Sequence, residues 1–361
     1  MRARIAAEGA IPFADFMEAA LYGEDGYYRQ QMSPIGPAGD FVTGSSLSPL
    51  FAGATAALVR RLDGALGRAA DVLEVGCGSG EHARALAAAL GSVTPRRLFA
   101  ADRIARAWEP GSGPTVEWLS GLESAGEIEG LVFSYELFDA LPVHRLIGRE
   151  DEPPGELWVE LDSAGAFRWR SGELSRPGLA EVLRETGARL DPGQIADLAP
   201  SAALLYRDLA RRLKRGLLVT CDYGFETASL LDARVRRHGT LACQRRHTVH
   251  RDPFRDIGGQ DLTAHVDFGR LRRVGEEEGL RTLAFTRQAP WLLACGLGGL
   301  LAGAGDEVRR EAAHLLDGEG MGESIRVLVQ ARGVDGEQLF AAEYRELWAA
   351  SRIAATSGHE R

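Results

Sequence analysis

The feature that most constrains the fold is a run of glycines between an apolar segment and a helical one. Residues 71–75 form a short apolar run, which is typical of a buried parallel strand. Gly76, Gly78 and Gly80 follow, and residues 81–90, rich in Ala and Leu, predict a helix. Glycine lets a backbone approach a ligand, and a helix N-terminus offers free N–H groups. The pattern therefore predicts a ligand-binding turn in a parallel sheet.

The spacing of the glycines distinguishes between classes of ligand. A dinucleotide-binding turn has the pattern G-x-G-x-x-G, and Glu81 stands where its third glycine would fall. A carboxylate at a helix N-terminus repels a pyrophosphate, so the turn favours a ligand without phosphate. S-adenosyl-L-methionine (SAM) fits, because its cationic sulfonium and ammonium groups tolerate Glu74 and Glu81 nearby.

A carboxylate follows the next predicted strand. Residues 97–101 are largely apolar and are followed by Asp102. A carboxylate in this place can bond both hydroxyls of a ribose, which NAD and SAM share. Asp102 therefore supports a nucleoside-containing ligand without choosing between the two. A glycine-rich turn that binds nothing is the third interpretation.

Apolar runs alternate with helical patterns along the chain, which predicts an α/β fold with a doubly wound parallel sheet. A β-hairpin within 157–169 is expected to extend that sheet. Residues 224–265 are expected to form a long irregular connection. The other predicted elements are a helix and turn over 11–29, a helix over 49–66, two helices within 178–215, helices over 267–279, 290–302 and 306–316, and strands over 116–119, 130–134, 216–222 and 324–331.

Two carboxylates follow the predicted strand 130–134. Ligands of open α/β sheets bind at the carboxyl ends of the strands, so Glu136 and Asp139 are expected at the same edge as the glycine turn. Beside a methyl donor, paired carboxylates favour a cationic acceptor such as a guanidinium, which they bind in bidentate fashion. They would accept its proton as the new bond forms. In the alternative interpretation, Asp139 caps a short helix and Glu136 is solvated.

His265 is the third candidate catalytic residue. It lies in the segment Asp261–His265, directly after the predicted irregular region, and an imidazole there is suited to act as a base. A hydrogen-bonded structural histidine is the alternative. Asp40 and Thr43, in a Pro- and Gly-rich loop, are predicted to close the cofactor pocket, or else to form a local cap and turn.

The segments above resemble those of a known family. The chain resembles the MidA-like family, whose mitochondrial member is a complex I assembly factor and protein arginine methyltransferase. The resemblance covers nearly the whole chain. It rests on Phe13–Glu18, Gly39–Thr43, Glu74–Gly80, Glu136–Pro142, Asp222–Gly224, Gly239–Leu241, Gln260–Phe268 and Met321–Glu323.

The resemblance implies a class I SAM-dependent methyltransferase fold, a Rossmann-like doubly wound sheet with added substrate-covering elements. It also implies that an arginine of a protein is the methyl acceptor. The expected catalytic residues are Glu136, Asp139 and His265. The expected SAM-binding residues are Asp40, Thr43, Glu74, Gly76, Gly78, Gly80, Asp102 and Glu136.

This family pattern also divides the chain into segments. The predicted division is an N-terminal helical segment with a cofactor-covering loop at 1–66, the first part of the methyltransferase core at 67–176, a helical insertion at 177–200, and the second part of the core at 201–361, with substrate-covering insertions at about 224–265 and 287–320. Tyr135 departs from the family pattern, which has Asn there, and is expected near the cofactor and acceptor pockets.

Composition excludes several classes of partner. The chain has 42 basic and 51 acidic residues, a net charge of −9, which argues against a nucleic-acid or anionic membrane surface. No apolar run reaches 18 residues, so no membrane span is expected. Cys243, His247 and His250 have no second cluster to complete a zinc site, so no metal is expected.

The four cysteines are far apart and form no C-x-x-C pair, which favours reduced thiols and a cytoplasmic protein. The expected partner is a protein, peptide or small-molecule methyl acceptor, and a homodimer is left open. The competing interpretations are a methyltransferase of small metabolites, a non-catalytic assembly factor that keeps the fold, and a NAD-dependent oxidoreductase, which Glu81 disfavours.

Overall fold

A computed structural model describes residues 1–30, 49–92, 95–104, 115–245, 248–317 and 321–340. The chain divides into two compact units. Unit 1 consists of residues 1–41, 138–205 and 224–271, and unit 2 consists of residues 42–137, 206–223 and 272–361. The predicted segments 67–176 and 201–361 thus each contribute to both units.

The elements are numbered in chain order over the described residues. The strands are β1 (Ile11–Pro12), β2 (Asp71–Val75), β3 (Leu98–Ala101), β4 (Glu117–Leu119), β5 (Ile128–Tyr135), β6 (His144–Ile147), β7 (Gly155–Leu161), β8 (Phe167–Gly172), β9 (Ile195–Leu198), β10 (Leu213–Phe225), β11 (Ala242–Arg245), β12 (Thr248–His250), β13 (Asp261–Thr263), β14 (Val266–Asp267), β15 (Arg281–Arg287) and β16 (Ile325–Arg332). The α-helices are α1 (Arg2–Glu8), α2 (Phe13–Tyr22), α3 (Tyr27–Gln30), α4 (Pro49–Leu66), α5 (Glu81–Leu90), α6 (Gly178–Glu185), α7 (Pro200–Arg212), α8 (Thr227–Leu230), α9 (Ala233–Arg236), α10 (Phe268–Glu277), α11 (Gln288–Ala294), α12 (Leu297–Leu301), α13 (Asp306–Leu316) and α14 (Met321–Ser324). Short 3₁₀ helices cover Leu122–Ala125 and Gly336–Leu339.

Unit 2 is built on the predicted doubly wound sheet. Its strand order is β4-β3-β2-β5-β10-β16-β15. The strands from β4 to β10 are parallel, whereas β16 is antiparallel to both β10 and β15. The chain runs outward from β2 to β4 and then returns to place β5 beside β2. This reversal of strand order is where open α/β sheets form a ligand-binding crevice.

Burial explains why the apolar runs of unit 2 form central strands. Every residue of β2 is buried, which suits a strand covered on both faces. Helix α5 turns one stripe inward, formed by His82, Ala83, Leu86, Ala87 and Leu90. These elements share one hydrophobic core with α4, α11 and β16.

Unit 1 contains a second sheet, with strand order β1-β7-β6-β9 and with β8 paired to β7. Strands β7 and β8 form the predicted hairpin, but the prediction that it extends the parallel sheet is wrong. Alternation along β8 turns Phe167 and Trp169 toward a core that includes α2, and Arg168 and Arg170 outward. A hairpin pattern specifies the pairing of its own strands, and only packing decides which sheet it joins.

The prediction of an irregular connection over 224–265 is also wrong in part. Strands β11, β12 and β13 form a three-stranded antiparallel sheet in the order β12-β11-β13, and α8 and α9 precede them. Strands of three or four residues are too short for alternation to be visible in the sequence. For the same reason β9 was not predicted.

The predicted helix over 290–302 is two helices, α11 and α12. They are separated at Gly296, whose φ of 101° is a conformation that side-chain-bearing residues rarely adopt. Strand β15 was missed because charged residues flank its short apolar centre. Among the helices in the described ranges, none is both long and apolar enough to cross a bilayer.

Candidate active site

The glycine turn lies where it was predicted, between β2 and α5 in unit 2. Gly76, Gly78 and Gly80 have φ values of 73°, 53° and 71°, in the left-handed region that favours glycine. At Gly76 a Cβ atom would also come within 2.7 Å of Leu137 Cδ1. The turn therefore needs glycine for its backbone conformation, and at Gly76 for space as well.

The end of β3 holds this turn in place. The N–H groups of Gly76 and Cys77 donate to the carbonyl of Ala101 at 2.8 and 3.2 Å. The N–H of Gly78 donates to Asp102 Oδ2 at 2.9 Å, while Asp102 Oδ1 accepts from the N–H of Ile104 at 2.8 Å. The predicted ribose-binding carboxylate thus lies directly beside the turn.

Glu74, a predicted SAM contact, lies in the protein interior and not at the surface. Its side chain is buried, and Oε2 is 2.9 Å from Nδ1 of His82, which is also buried. The His82 ring packs against Phe51 and Phe133, with centroid distances of 5.3 and 5.1 Å. The sequence analysis did not predict the pairing of Glu74 with His82. Its signal was a histidine on the otherwise apolar inward stripe of α5.

Glu136 follows β5 at the sheet's reversal point. Its φ of 48° is left-handed, which is unfavourable for a residue with a side chain. Two hydrogen bonds hold the chain there. The N–H of Glu136 donates to the carbonyl of Cys221 at 2.9 Å, and the N–H of Leu137 donates to Oδ2 of the buried Asp222 at 3.1 Å. Since Leu137 also lies over Gly76, the glycine turn and the Glu136 segment are neighbours, as predicted.

Tyr135, where the chain departs from the family pattern, is buried in the core of unit 2. Its hydroxyl is 2.7 Å from Oε1 of Gln288, whose amide nitrogen donates to the carbonyl of Leu315 at 3.0 Å. Burial, reinforced by the charge of Glu136, raises the pKa of Tyr135 well above its ordinary value. The departure from the family pattern at this position is thus accommodated by core packing.

Asp139 and His265 both belong to unit 1, whereas Glu136 belongs to unit 2. Within unit 1 the Asp139 carbonyl accepts from the N–H of Ala264 at 2.9 Å, which brings Asp139 beside the His265 segment. The Asp139 side chain is buried, as is that of Asp261. The fold thus joins two predicted site segments that are about 125 residues apart in the chain.

Two tyrosines accompany these buried carboxylates. The Tyr28 hydroxyl is 3.0 Å from Asp261 Oδ1, and the Tyr22 hydroxyl donates to the Ala140 carbonyl at 3.0 Å. Their rings stack with centroids 5.4 Å apart. Burial, and then the charges of Asp261 and Asp139, raise the pKa of Tyr28 well above its ordinary value. Tyr28 therefore stays a neutral hydroxyl that can donate a hydrogen bond.

His265 lies in the two-residue link between β13 and β14. Its backbone N–H donates to Thr240 Oγ1 at 3.1 Å, and its ring packs on Phe225 with a centroid distance of 5.3 Å. A cavity within unit 1 is lined by His265 and Asp197 together with apolar side chains such as Phe138 and Leu271. His265 is thus one of the residues in the wall of that cavity.

Two further predictions are that Asp40 and Thr43 close the cofactor pocket and that Cys243, His247 and His250 hold no metal. Asp40 and Thr43 lie outside the described residues, as does His247. Cys243 and His250 face each other in the register of β11 and β12. In the part of the chain that the structure describes, no group of three or more metal-ligating side chains occurs.

These residues fit SAM. The glycine turn presents backbone without side chains at the reversal point of the sheet, and Asp102 supplies a carboxylate for ribose hydroxyls. Gly76, Gly78, Gly80 and Asp102 are therefore the residues of this chain suited to hold the cofactor.

Comparison with known proteins supports the same conclusion. Residues 52–286 match the family model described as "Putative S-adenosyl-L-methionine-dependent methyltransferase". A superfamily relative from Burkholderia thailandensis, crystallised with S-adenosyl-homocysteine bound, is 31% identical with a TM-score of 0.83, over 95% of this chain and 94% of that one. A related native crystal structure from the same organism is 33% identical with a TM-score of 0.81, over 94% and 93% of the two chains.

Curated relatives carry a more specific name. The Drosophila melanogaster "Protein arginine methyltransferase NDUFAF7 homolog, mitochondrial" is 25% identical over 320 residues, which cover 77% of this chain and 70% of that protein. The Danio rerio "Protein arginine methyltransferase NDUFAF7, mitochondrial" is 24% identical over 387 residues, covering 94% and 88%. The predicted fold, cofactor and enzyme class are confirmed, and the chain belongs to the MidA-like family of SAM-dependent methyltransferases.

Proposed function

We propose that this enzyme methylates a guanidinium nitrogen of an arginine in a protein or peptide. The observation that carries the proposal is Glu136, a carboxylate-bearing residue held in a left-handed conformation beside the glycine turn. Such conformations persist at functional sites because the surrounding structure enforces them. The names of the curated relatives support arginine as the acceptor.

The chemistry assigns Glu136 two tasks. When bound, SAM supplies an electrophilic methyl group. A guanidinium has a pKa above roughly 12, so no carboxylate deprotonates it in the ground state. Glu136 would pair with the guanidinium and localise its charge, which leaves one nitrogen more nucleophilic. It would accept the proton from that nitrogen as the nitrogen–carbon bond forms and the bond between the methyl carbon and the sulfonium sulfur breaks.

Asp139 and His265 complete the proposed set. Asp139 follows Glu136 by three residues in the chain. Asp139 is the proposed second carboxylate for the guanidinium, and His265 is the proposed base, which can exchange a proton with solvent. Asp40, Thr43 and Glu74 stay proposed SAM contacts, of which Glu74 acts together with His82.

Product analysis tests the acceptor class. The purified enzyme is incubated with methyl-labelled SAM and with arginine peptides, matched lysine peptides or small-molecule amines. Acid hydrolysis and mass spectrometry then identify the methylated product. Methylarginine confirms the proposal, whereas label found only in a small molecule or in lysine contradicts it.

Substitution of the carboxylate tests the residue assignment. Glu136→Gln keeps the shape but cannot accept the proton, so we expect kcat to fall about 100-fold or more. Glu117→Gln is the control, because Glu117 is an exposed carboxylate of β4 in the same unit. Equal rates for the two variants would contradict the role of Glu136.

A further inference from the structure

We infer that Asp197 and Thr240 are positioning residues that fix His265 in the wall of the unit 1 cavity. The inference rests on the proposed catalytic role of His265. It adds two residues that the sequence analysis did not single out individually. They act through a chain of hydrogen bonds that starts at a buried ion pair.

The first link is the pair between Arg145 of β6 and Asp197 of β9. Arg145 Nε donates to Asp197 Oδ1 at 2.8 Å, and the two side chains are only 7% and 1% exposed. The guanidinium also lies over the rings of Trp169 and Phe13, at 5.1 and 5.7 Å from their centroids. This pairing orients the carboxylate, because rotating it would break the hydrogen bond from the buried Arg145 guanidinium.

The second link is formed by the loop that precedes β11, which hydrogen-bonds to the other carboxylate oxygen of Asp197. Oδ2 accepts from the N–H groups of Thr240 and Leu241 at 2.5 and 3.0 Å, and the Thr240 hydroxyl lies 3.3 Å away. Gly239 makes this approach possible. Its φ is 74°, and a Cβ atom there would lie 2.4 Å from Oδ2.

The third link reaches His265. Thr240 Oγ1 accepts the backbone N–H of His265 at 3.1 Å, while its own proton points to Asp197. The preceding N–H, of Ala264, is bonded to the Asp139 carbonyl at 2.9 Å. Two successive peptide groups are therefore fixed by other elements. This fixes the backbone from which the His265 side chain extends, in the wall of the cavity that Asp197 also lines.

The test compares two substitutions at position 240. Thr240→Val keeps the side-chain shape but removes the hydroxyl, whereas Thr240→Ser keeps the hydroxyl. With any acceptor that the enzyme methylates, we expect Thr240→Val to lower kcat about 10- to 100-fold, because a small misplacement of a catalytic group has an effect of this size. We expect the KM for SAM to stay constant and Thr240→Ser to restore the rate. Thr248→Val, at an exposed threonine of β12, is the matched control.

A double substitution shows whether the effect passes through His265. If Thr240 acts through His265, adding Thr240→Val to His265→Gln lowers kcat no further. Multiplicative losses, or a Thr240→Val enzyme as active as wild type when His265→Gln itself lowers kcat, would overturn the inference.

An NMR measurement separates this inference from the proposed function. The ring Cε1–H signal of His265, assigned by its loss in His265→Gln, is compared between variants without any acceptor. A shift in Thr240→Val that Thr240→Ser and Thr248→Val do not show supports positioning even if His265→Gln keeps full activity, a result that would overturn only the catalytic role of His265. An unchanged signal in Thr240→Val overturns the inference whatever the activity.

Discussion

Glu136 adopts a backbone conformation that glycine prefers. For a residue with a side chain, this region costs about 1–2 kcal/mol. Asp151 and Asp256 are the other described non-glycine residues with positive φ, and aspartate tolerates this region better than glutamate. Hydrogen bonds to the chain around Cys221 and Asp222 offset the cost. An unfavourable conformation maintained at a carboxylate beside the cofactor turn is typical of a functional residue.

The glycine turn provides a prediction at this scale. Gly76→Ala introduces a Cβ atom 2.7 Å from Leu137 Cδ1 at a φ of 73°. We expect SAM affinity measured by isothermal titration to fall at least tenfold, because Leu137 and the turn must both move.

Gly67→Ala is the matched control for this substitution. Its φ is 70°, and a Cβ atom there meets no atom within 4 Å. It should lower the free energy of unfolding by about 1 kcal/mol and leave SAM binding unchanged. Equal SAM affinities for the two variants would contradict a role for Gly76 in the binding turn.

At the scale of elements, a buried histidine–glutamate pair links strand β6 to strand β7. His144 Nδ1 is 2.7 Å from Glu156 Oε1, and the N–H of Ser175 donates to Glu156 Oε2 at 2.6 Å. Burial by itself raises the pKa of Glu156, but the hydrogen bonds from His144 and Ser175 outweigh it, so the pKa lies below its ordinary value. The ionised carboxylate is therefore the form that stabilises this sheet.

The sign of the pH dependence follows from that direction. A carboxyl group with a lowered pKa in the folded state stabilises the protein above its unfolded-state pKa of about 4.3. This contribution is lost as the pH falls from there through the folded-state pKa. We expect Glu156→Gln to lower the free energy of unfolding at pH 7 by about 2 kcal/mol and to flatten its acid dependence, measured by urea unfolding.

Glu160→Gln, in the same strand, is the control for this prediction. Glu160 pairs with the largely exposed Arg168 and Arg170, so its substitution should change stability by less than about 0.5 kcal/mol. Identical acid dependence in Glu156→Gln and wild type would contradict the assignment.

At the scale of the whole molecule, folding buries all four cysteines, in the two units alike. Burial raises the pKa of Cys243 and Cys295 to about 12, and that of Cys221 well above its ordinary value. At pH 8 the thiolate fraction of a group with a pKa of 12 is on the order of one in ten thousand. These thiols are therefore unreactive while the protein is folded.

Alkylation tests this prediction. We expect iodoacetamide at pH 8 to leave Cys221, Cys243 and Cys295 unmodified in the native protein and to label them after unfolding in guanidinium chloride. Peptide mass spectrometry gives the extent at each position. Labelling of these three in the native protein at the unfolded rate would show that they are not buried in solution.

Local sequence determined many of the elements that form and the glycine turn between β2 and α5. Strand β2, helix α4 and helix α5 have their predicted bounds, because long apolar patterns and glycines at strained positions act over a few residues. The carboxylate after β5 was predictable for the same reason, since a parallel strand must end at the ligand-binding edge. The short strands β9 and β11 to β13 escaped prediction because each includes polar residues, whereas β3, of similar length, is apolar throughout.

Only the tertiary structure decided which residues meet across the chain. Nothing local pairs Asp197 with Thr240, places Ala264 on Asp139, or sets Glu74 against His82 in the core. The tertiary structure also places the hairpin of β7 and β8 in a second sheet and buries the side chain of Tyr135. The physical reason is that side-chain pairing and sheet membership depend on how segments far apart in the chain are buried against one another. The spacing of apolar residues within one segment carries no information about that packing. The sequence by itself thus determined the fold class and the cofactor turn, whereas packing decided how the candidate catalytic groups are held.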